Sequence, residues 1–245
     1  MIESMKKAFR SYSKTPFPFV WGSLLYLFLL IVCIFAAVGL FLIYFFLLSA
    51  FEQELSFESI PTLVVLGIIV LLFLFFANGL NAALVMAYRK ALTKGKVSVA
   101  RFFSYAMDRA PEMFGIMIVR EFLWLLLVGP FIAFYVYFFY EYELMDLLFG
   151  TYALFMTFAI HLVFTPAFVL SGGYGTDIFT SLKLDIDFLR KKHIFFIGIY
   201  VVFALAWLLN FVPFVQVATL FFAYPVVYAA MVVMLENTVR IKEGY

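Results

Sequence analysis

The chain has 245 residues, of which 67% are hydrophobic and only 13% are charged, and its formal net charge is +2. Soluble domains contain about half apolar and about a quarter charged residues, so a soluble fold of this composition could not cover its surface with polar groups. The composition therefore excludes a soluble globular protein and predicts an all-α integral membrane protein. The single cysteine, Cys33, excludes an internal disulfide and any site built on paired cysteines.

Six apolar runs are long enough to cross a hydrocarbon core of ~30 Å, which takes about 20 helical residues. They are Phe17–Leu48, Pro61–Met86, Met113–Tyr140, Leu147–Leu170, Ile194–Val215 and Ala218–Leu235. The first run is longer than the apolar core of a signal peptide, so we interpret it as a retained span. We therefore predict six transmembrane helices, the first of which tilts or projects from one face.

The charged residues of the connections predict the orientation of these spans. Sixteen of the seventeen Lys and Arg residues lie in the N-terminal arm, in the second and fourth connections and in the C-terminal tail. The other connections carry only acidic charges, namely Glu52, Glu54, Glu58, Glu141, Glu143 and Asp146. Because cytoplasmic loops are enriched in Lys and Arg, we expect both termini to be cytoplasmic in a multi-pass protein of the cell membrane.

The sequence contains an internal repeat, whose copies lie just before spans. The segments Phe9–Gly22 (FRSYSKTPFPFVWG) and Phe102–Gly115 (FFSYAMDRAPEMFG) align without gaps and share Phe, Ser, Tyr, Pro and Gly. A looser third copy covers Phe179–Gly198, and each copy precedes an odd-numbered span. The alternative is coincidence between apolar sequences, against which the shared polar and special residues argue. We predict one membrane domain, 1–245, of three parallel repeats, 1–96, 97–175 and 176–245.

Each copy also predicts an amphipathic helix on the cytoplasmic side, because apolar residues recur at three- and four-residue spacing. The apolar positions are Ile2, Met5, Phe9 and Tyr12, then Val99, Phe102, Phe103, Ala106 and Ala110, then Ile178, Leu182, Ile186 and Leu189. Such helices lie in the headgroup plane with their cations toward anionic lipid. The expected interface cations are Lys6, Lys7, Arg10, Arg101, Arg109, Arg190, Lys191 and Lys192. Ordinary basic loops, or docking to a cytoplasmic partner, are the alternatives.

Three stretches carry a family resemblance: MKKAFRSYSKTP (Met5–Pro16), PAFVLSGGYGTDIFTSL (Pro166–Leu182) and LNFVPFVQVATLFFAYPVVYAAMVVMLEN (Leu209–Asn237). With them the chain resembles prokaryotic six-span membrane families related to the membrane domain of glycerophosphodiester phosphodiesterases. The resemblance covers most of the chain and rests on spaced Pro, Gly, Ser and aromatic residues. It implies a fold but no activity, and the soluble phosphodiesterase domain with its catalytic residues has no counterpart here.

Polar residues inside the spans form the candidate site. Arg120 and Glu121 lie seven to eight residues from Met113, roughly 10–12 Å deep. Helical neighbours point about 100° apart, so we expect each to find its main partner elsewhere. Asn81 and His161 fall at a similar depth, and Asn78 shares a helix face with Asn81. We predict an intramembrane cluster of Arg120, Glu121, Asn78, Asn81 and His161, with Gly79 and Ala83 allowing close helix contact.

Two interpretations of this cluster remain open. It could form a substrate or proton pathway that opens to the cytoplasm. Alternatively, Arg120 extends its guanidinium to nearby headgroups while Glu121 pairs with a neighbouring helix.

No segment predicts catalysis or a cofactor. The glycine-rich stretch Ser171–Asp177 lacks the Lys-Ser/Thr of a nucleotide loop, so we predict a turn with Thr176 or Asp177 as the N-cap of the next helix. Asp185 and Asp187 are interpreted as a solvated helix face. Neither histidine has a Cys or carboxylate at ligand spacing, so we expect no metal site. We therefore predict no enzymatic activity.

The sequence favours a non-enzymatic multi-pass membrane protein, either of two kinds. The first is a transporter or permease-like subunit with a polar cavity open to the cytoplasm. The second is a membrane scaffold or assembly factor that binds lipid or a partner through its amphipathic helices. We expect membrane lipid and a cytoplasmic or membrane protein as partners, and no nucleic acid.

Overall fold

The computed structural model describes residues 2–50, 59–93, 95–139, 143–208 and 219–238. All regular secondary structure in these ranges is helical. The helices are α1 (Ile2–Lys14), α2 (Pro16–Ala50), α3 (Ile60–Leu92), α4 (Val99–Phe138), α5 (Glu143–Tyr174), α6 (Ile178–Leu208) and α7 (Tyr224–Thr238), and a π-helical turn, Thr219–Ala223, leads into α7.

Five helical stretches of the described chain are long and apolar enough to cross a membrane. They are Pro16–Ala50, Ile60–Leu92, Val99–Phe138, Met145–Tyr174 and Phe221–Thr238, which correspond to the first four predicted spans and the sixth. The fifth predicted span, Ile194–Val215, is helical as far as Leu208 in α6, and its remainder lies outside the described residues. The number of six spans therefore stays a prediction.

The aligned repeat segments do not form the same local structure. In the first copy α1 ends at Lys14 and α2 begins at Pro16. Proline disfavours helical backbone in the residue before it and fits the first helical position, so the chain breaks at Thr15. The second copy has Arg109 at the position of Pro16, and α4 continues without a break through Pro111. The second and third predicted surface helices are thus the first turns of α4 and α6, not separate elements.

The predicted amphipathic faces pack partly into the helix bundle. Phe102, Ala106 and Ala110 are buried along the start of α4, whereas Phe103 is half exposed. On α1, Tyr12 donates its hydroxyl proton to the carbonyl of Phe221, 2.8 Å away in the π-helical turn. These segments therefore brace the transmembrane helices, and their placement in the headgroup plane stays a prediction.

Small residues set the distance between the central helices, as predicted from Gly79. A Cβ atom on Gly79 would lie 2.3 Å from the carbonyl oxygen of Ala106 in α4. On the other side of α3, a Cβ atom on Gly172 of α5 would lie 3.0 Å from the Cα atom of Ala82. Contact at this range requires residues without large side chains. Helix α3 is therefore clamped between α4 and α5.

The tightly packed core occupies one end of the bundle. Buried apolar side chains concentrate in Leu80–Ala91 of α3, Phe102–Met117 of α4 and Val226–Leu235 of α7. The opposite ends carry large exposed apolar side chains, which a lipid environment would cover. Helix α7 is central: 56% of the residues in Phe221–Thr238 are buried, whereas the most apolar 18 residues of α2 are all at least partly exposed. The interior of the bundle is thus built mainly from α3, α4, α5 and α7.

Replacing Gly79 by alanine tests this packing. The new methyl group would meet backbone and side-chain atoms of α4, so we expect Gly79→Ala to lower the free energy of unfolding by about 1–3 kcal/mol. Gly67→Ala on the same helix is the control, because nothing lies within 4 Å of its added Cβ atom. The better helix propensity of alanine should leave that variant equal or up to about 1 kcal/mol more stable. Thermal unfolding in detergent measures both variants. Equal unfolding midpoints for Gly79→Ala and Gly67→Ala would contradict the close approach of α3 and α4.

Candidate functional site

A cavity of about 490 Å³ lies between α3, α4 and α5, with Tyr228 of α7 completing its wall. Four of the five predicted cluster residues line it, namely Asn78, Asn81, Arg120 and His161. The remaining polar lining comes from Thr157, Thr165 and Tyr228, and the rest is apolar. The fold therefore brings these four side chains to one cavity, and their functional role stays a prediction.

The two asparagines of α3 differ in their hydrogen bonding. The side-chain amide of Asn78 donates to the carbonyl of Leu74 at 2.8 Å and contacts the Met117 sulfur at 3.1 Å. Asn78 is thus held in place and is buried. The side chain of Asn81, one helical turn further on, has no hydrogen-bond partner in the described part of the chain and is half-buried. Asn81 can therefore bond to a molecule in the cavity without breaking a protein contact.

A stripe of polar residues four apart on α5 forms the facing wall. The Thr157 hydroxyl accepts a hydrogen bond from the Trp124 indole N–H at 2.7 Å, and the Thr165 hydroxyl donates to the carbonyl of His161 at 2.6 Å. Between them, Nδ1 of His161 is buried and has no partner among the described residues. Sequence reasoning identified His161 but missed Thr157 and Thr165. Their helical spacing around His161 was the signal that could have found them.

Arg120 and Glu121 bind each other, so the prediction that adjacent helical residues would find other partners is wrong. The guanidinium Nε donates to Glu121 Oε1 at 2.9 Å, and one terminal nitrogen donates to the same oxygen. Their Cα–Cβ bonds diverge, but the long arginine stem bends back across the helix surface and closes the gap. The guanidinium carbon also lies 5.3 Å from the centroid of the Phe168 ring, a distance that permits a cation–π contact.

A smaller cavity of about 260 Å³ adjoins the first on the α4–α5 side. It shares Arg120, Thr157 and His161 with the larger cavity, and Glu121 lines only the smaller one. The Glu121 side chain is 50% exposed, against 22% for Arg120. The ion pair therefore stands between the larger cavity and the outer surface of α4.

The predicted turn is shorter than the glycine-rich stretch, because residues 171–174 continue α5 and only residues 175–177 lie between α5 and α6. Gly175 has a φ of +69°, which favours glycine, and its N–H donates to the carbonyl of Ser171 at 3.0 Å. Asp177 then caps α6, because its Oδ1 accepts the backbone N–H of Thr180 at 3.0 Å. Of the two predicted candidates, Asp177 and not Thr176 is therefore the N-cap of α6.

Three donors from other helices bind carbonyl groups at the C-terminal end of α5 and in Gly175, the residue that follows it. The Tyr105 hydroxyl donates to Gly172 O at 2.9 Å, Arg89 Nη1 donates to Gly173 O at 3.2 Å, and Arg109 Nη1 donates to Gly175 O at 2.8 Å. We call this arrangement the α5 cap. Helix ends leave such carbonyl groups without intrahelical partners, and cations there also offset the helix dipole.

Arg109 differs from the other predicted interface cations, because its guanidinium donates a hydrogen bond to Gly175 in the α5 cap. Lys6, Lys7, Arg10, Arg101, Arg190 and Lys191 are exposed, and the side chain of Lys192 lies outside the described residues. Contact of these cations with lipid headgroups stays a prediction.

Asp185 is buried, so its interpretation as part of a solvated helix face is wrong. Only 2% of the residue is exposed, and its Oδ1 atom has no hydrogen-bond partner among the described residues. The face of α6 that carries Ile178, Leu182 and Phe188 packs inward and takes Asp185 with it. Burial raises the pKa of the carboxyl to about 8, although a hydrogen bond with the backbone of Ala167 acts in the opposite direction.

Together the helices define the class of this molecule: it is a multi-pass membrane protein, and the regular structure of its described residues is helical. Within the described ranges, no three His, Cys, Asp or Glu residues lie close enough together to hold a metal ion. Comparison with protein-family models, with curated proteins and with solved structures gave no match. The family resemblance of the sequence therefore stays a prediction.

Asp185 predicts a specific dependence of stability on pH. Its folded pKa of about 8 lies above the unfolded value of about 3.9, so the folded state binds more protons between these values. Its contribution to the free energy of unfolding therefore decreases as pH rises from about 4 to about 8, by at most about 1.4 kcal/mol per unit.

Asp185→Asn keeps a hydrogen-bond acceptor and cannot ionise, so its stability relative to the wild type should increase with pH. Thermal unfolding at pH 5 and pH 8.5 in one detergent measures the difference, with the more exposed Asp187→Asn as the control for loss of one carboxylate. If Asp185→Asn differs from the wild type in unfolding temperature by the same amount at both pH values, the raised pKa of the buried carboxyl is contradicted.

Proposed function

We propose that the protein is transporter-like and admits a small polar or amphipathic solute to the cavity between α3, α4 and α5. The supporting observation is the cavity itself, whose volume of about 490 Å³ falls in the range of small-molecule sites. Its apolar wall carries a few polar groups, among which the side chain of Asn81 has no protein partner in the described chain. Such groups orient a ligand that the apolar surface desolvates.

The Arg120–Glu121 pair would act as an exchangeable contact in this scheme. A carboxylate or phosphate on the solute can replace Glu121 at the guanidinium, because all three are acceptors of charge-assisted hydrogen bonds. Glu121 is the more exposed member of the pair, so it can turn outward when displaced. Binding would then give Arg120 a new partner, and the displaced Glu121 would have to reach the headgroups or take up a proton, because an unpaired carboxylate is costly in hydrocarbon.

We further propose that the cavity communicates with the cytoplasm in a six-span fold whose two termini are cytoplasmic. The distribution of Lys and Arg supports this orientation. Contacts between helix ends support it too, because Arg89 of α3 contacts both Gly173 of α5 and Glu236 of α7. An orientation with cytoplasmic termini requires these three helices to end on the same side. A relationship to the membrane domain of glycerophosphodiester phosphodiesterases belongs to the same proposal and rests on the sequence resemblance.

A membrane scaffold is the second candidate, and exposed apolar side chains near the cytoplasmic segments favour it. Ile2 and Phe9 on α1 are 65% and 49% exposed, and Phe179 at the start of α6 is 83% exposed. These side chains could insert into lipid or contact a protein partner. The two candidates differ in the interior: a transporter needs a cavity that water enters, and a scaffold does not.

Cysteine labelling distinguishes the candidates. In a Cys33→Ser background, Asn81→Cys and Thr165→Cys place thiols in the cavity, and Leu126→Cys places one on an exposed apolar face as the lipid-facing control. We expect a membrane-impermeant methanethiosulfonate added to inside-out vesicles to modify the cavity thiols and spare the control, as read by intact-protein mass spectrometry.

The same reagent added to right-side-out vesicles tests the orientation, and it should leave the cavity thiols unmodified. Cavity thiols that react no faster than the Leu126→Cys thiol in either type of vesicle would indicate a dry interior. That result would contradict the transporter proposal and favour the scaffold.

A further inference from the structure

A separate cavity of about 340 Å³ lies where the middle of α1 meets the C-terminal ends of α3, α5 and α7. Its charged lining consists of Lys7 from α1, Arg89 and Lys90 from α3, and Glu236 from α7. Met86, Leu92 and Val233 provide an apolar wall, while Thr93 and Gly173 complete the lining. The larger cavity shares none of these residues, so this pocket is independent of the proposed transport site.

The pocket holds more positive than negative charge. Glu236 is 3.7 Å from Arg89, whose guanidinium also bonds to Gly173 and lies 4.0 Å from the centroid of the Tyr174 ring. The ammonium groups of Lys7 and Lys90 have no carboxylate partner in the described ranges. The two lysines bring positive charge from different helices to one pocket, so an anion bound between them would be attracted from both sides.

We propose that this pocket binds a phosphate group, supplied by the headgroup of an anionic phospholipid. Lysine ammonium groups bind phosphate oxygens through charge-assisted hydrogen bonds, and Lys7 and Lys90 offer up to six N–H donors between them. The apolar wall suits the glycerol and first methylene groups of a lipid, which inorganic phosphate lacks. The pocket also lies at the end of α3, directly beyond a helix long and apolar enough to span the bilayer.

Such a lipid would join α1 to the transmembrane bundle. Among the described residues, a hydrogen bond from the Tyr12 hydroxyl to Phe221 links α1 to the bundle near the C-terminal end of α1. A phosphate between Lys7 and Lys90 adds a second link, from α1 to α3. The expected consequence is that anionic lipid raises the unfolding temperature through these two lysines and not through the other cations of α1.

The test uses the full chain, delipidated in neutral detergent and titrated with dihexanoyl phosphatidylglycerol while thermal unfolding is followed. The pocket variant is K7Q/K90Q, and the matched control K6Q/K14Q removes two exposed lysines of α1 outside the pocket. We expect the pocket variant to bind about tenfold or more weakly, whereas the control binds as the wild type does. The variant K7R/K90R keeps both charges and should retain most of the affinity.

Two further titrations identify the source of the phosphate. Dihexanoyl phosphatidylcholine carries a compensating cation and inorganic phosphate lacks the lipid portion, so both should stabilise the protein less than phosphatidylglycerol does. If inorganic phosphate stabilises equally, and only through Lys7 and Lys90, the lipid source is overturned. If K6Q/K14Q loses as much affinity as K7Q/K90Q, or if neither loses any, the pocket itself is overturned.

Discussion

The α5 cap is the interaction on which the rest of the bundle depends. The hydrocarbon core of a membrane supplies no hydrogen bonds, so the final carbonyl groups of a membrane helix must find protein or interfacial partners. In α5 these partners come from α3 and α4: the donors are Arg89, Tyr105 and Arg109, and the acceptors are Gly172, Gly173 and Gly175. The cap fixes the relative height of three helices at one end. Arg89 extends the connection to α7 through Glu236.

The close packing beside the cap follows from that alignment and places the cavity. With the ends aligned, Gly79 faces Ala106 and Gly172 faces Ala82, so the helices approach to backbone contact. On the same turns of α3, Asn78 and Asn81 line the large cavity, whose other walls lie further along α4 and α5. A solute site beside a rigid packed end fits the proposed transport role, because the walls are positioned by the same contacts that hold the fold together.

The predictions that the structure bears out in part were based on hydropathy, residue size and depth along each helix. The long apolar runs correspond to five described helices, and the contact at Gly79 follows from its missing side chain. Side-chain conformation and tertiary packing account for the misses. The Arg120–Glu121 pair depends on how one flexible stem bends, which residue spacing does not specify. Asp185 lies between apolar residues that point to more than one face of α6, so only contact with α5 decides which face is buried.

Hydrogen–deuterium exchange in lipid nanodiscs tests the α5 cap most directly. The wild type is compared with Arg109→Gln, which removes the donor to Gly175, and with Arg101→Gln, which removes an exposed cation of the same helix. The cap predicts faster amide exchange in residues 171–182 of Arg109→Gln and unchanged exchange in Arg101→Gln. Equal exchange of that segment in the wild type and Arg109→Gln would contradict the claim that the cap holds this end of the bundle together.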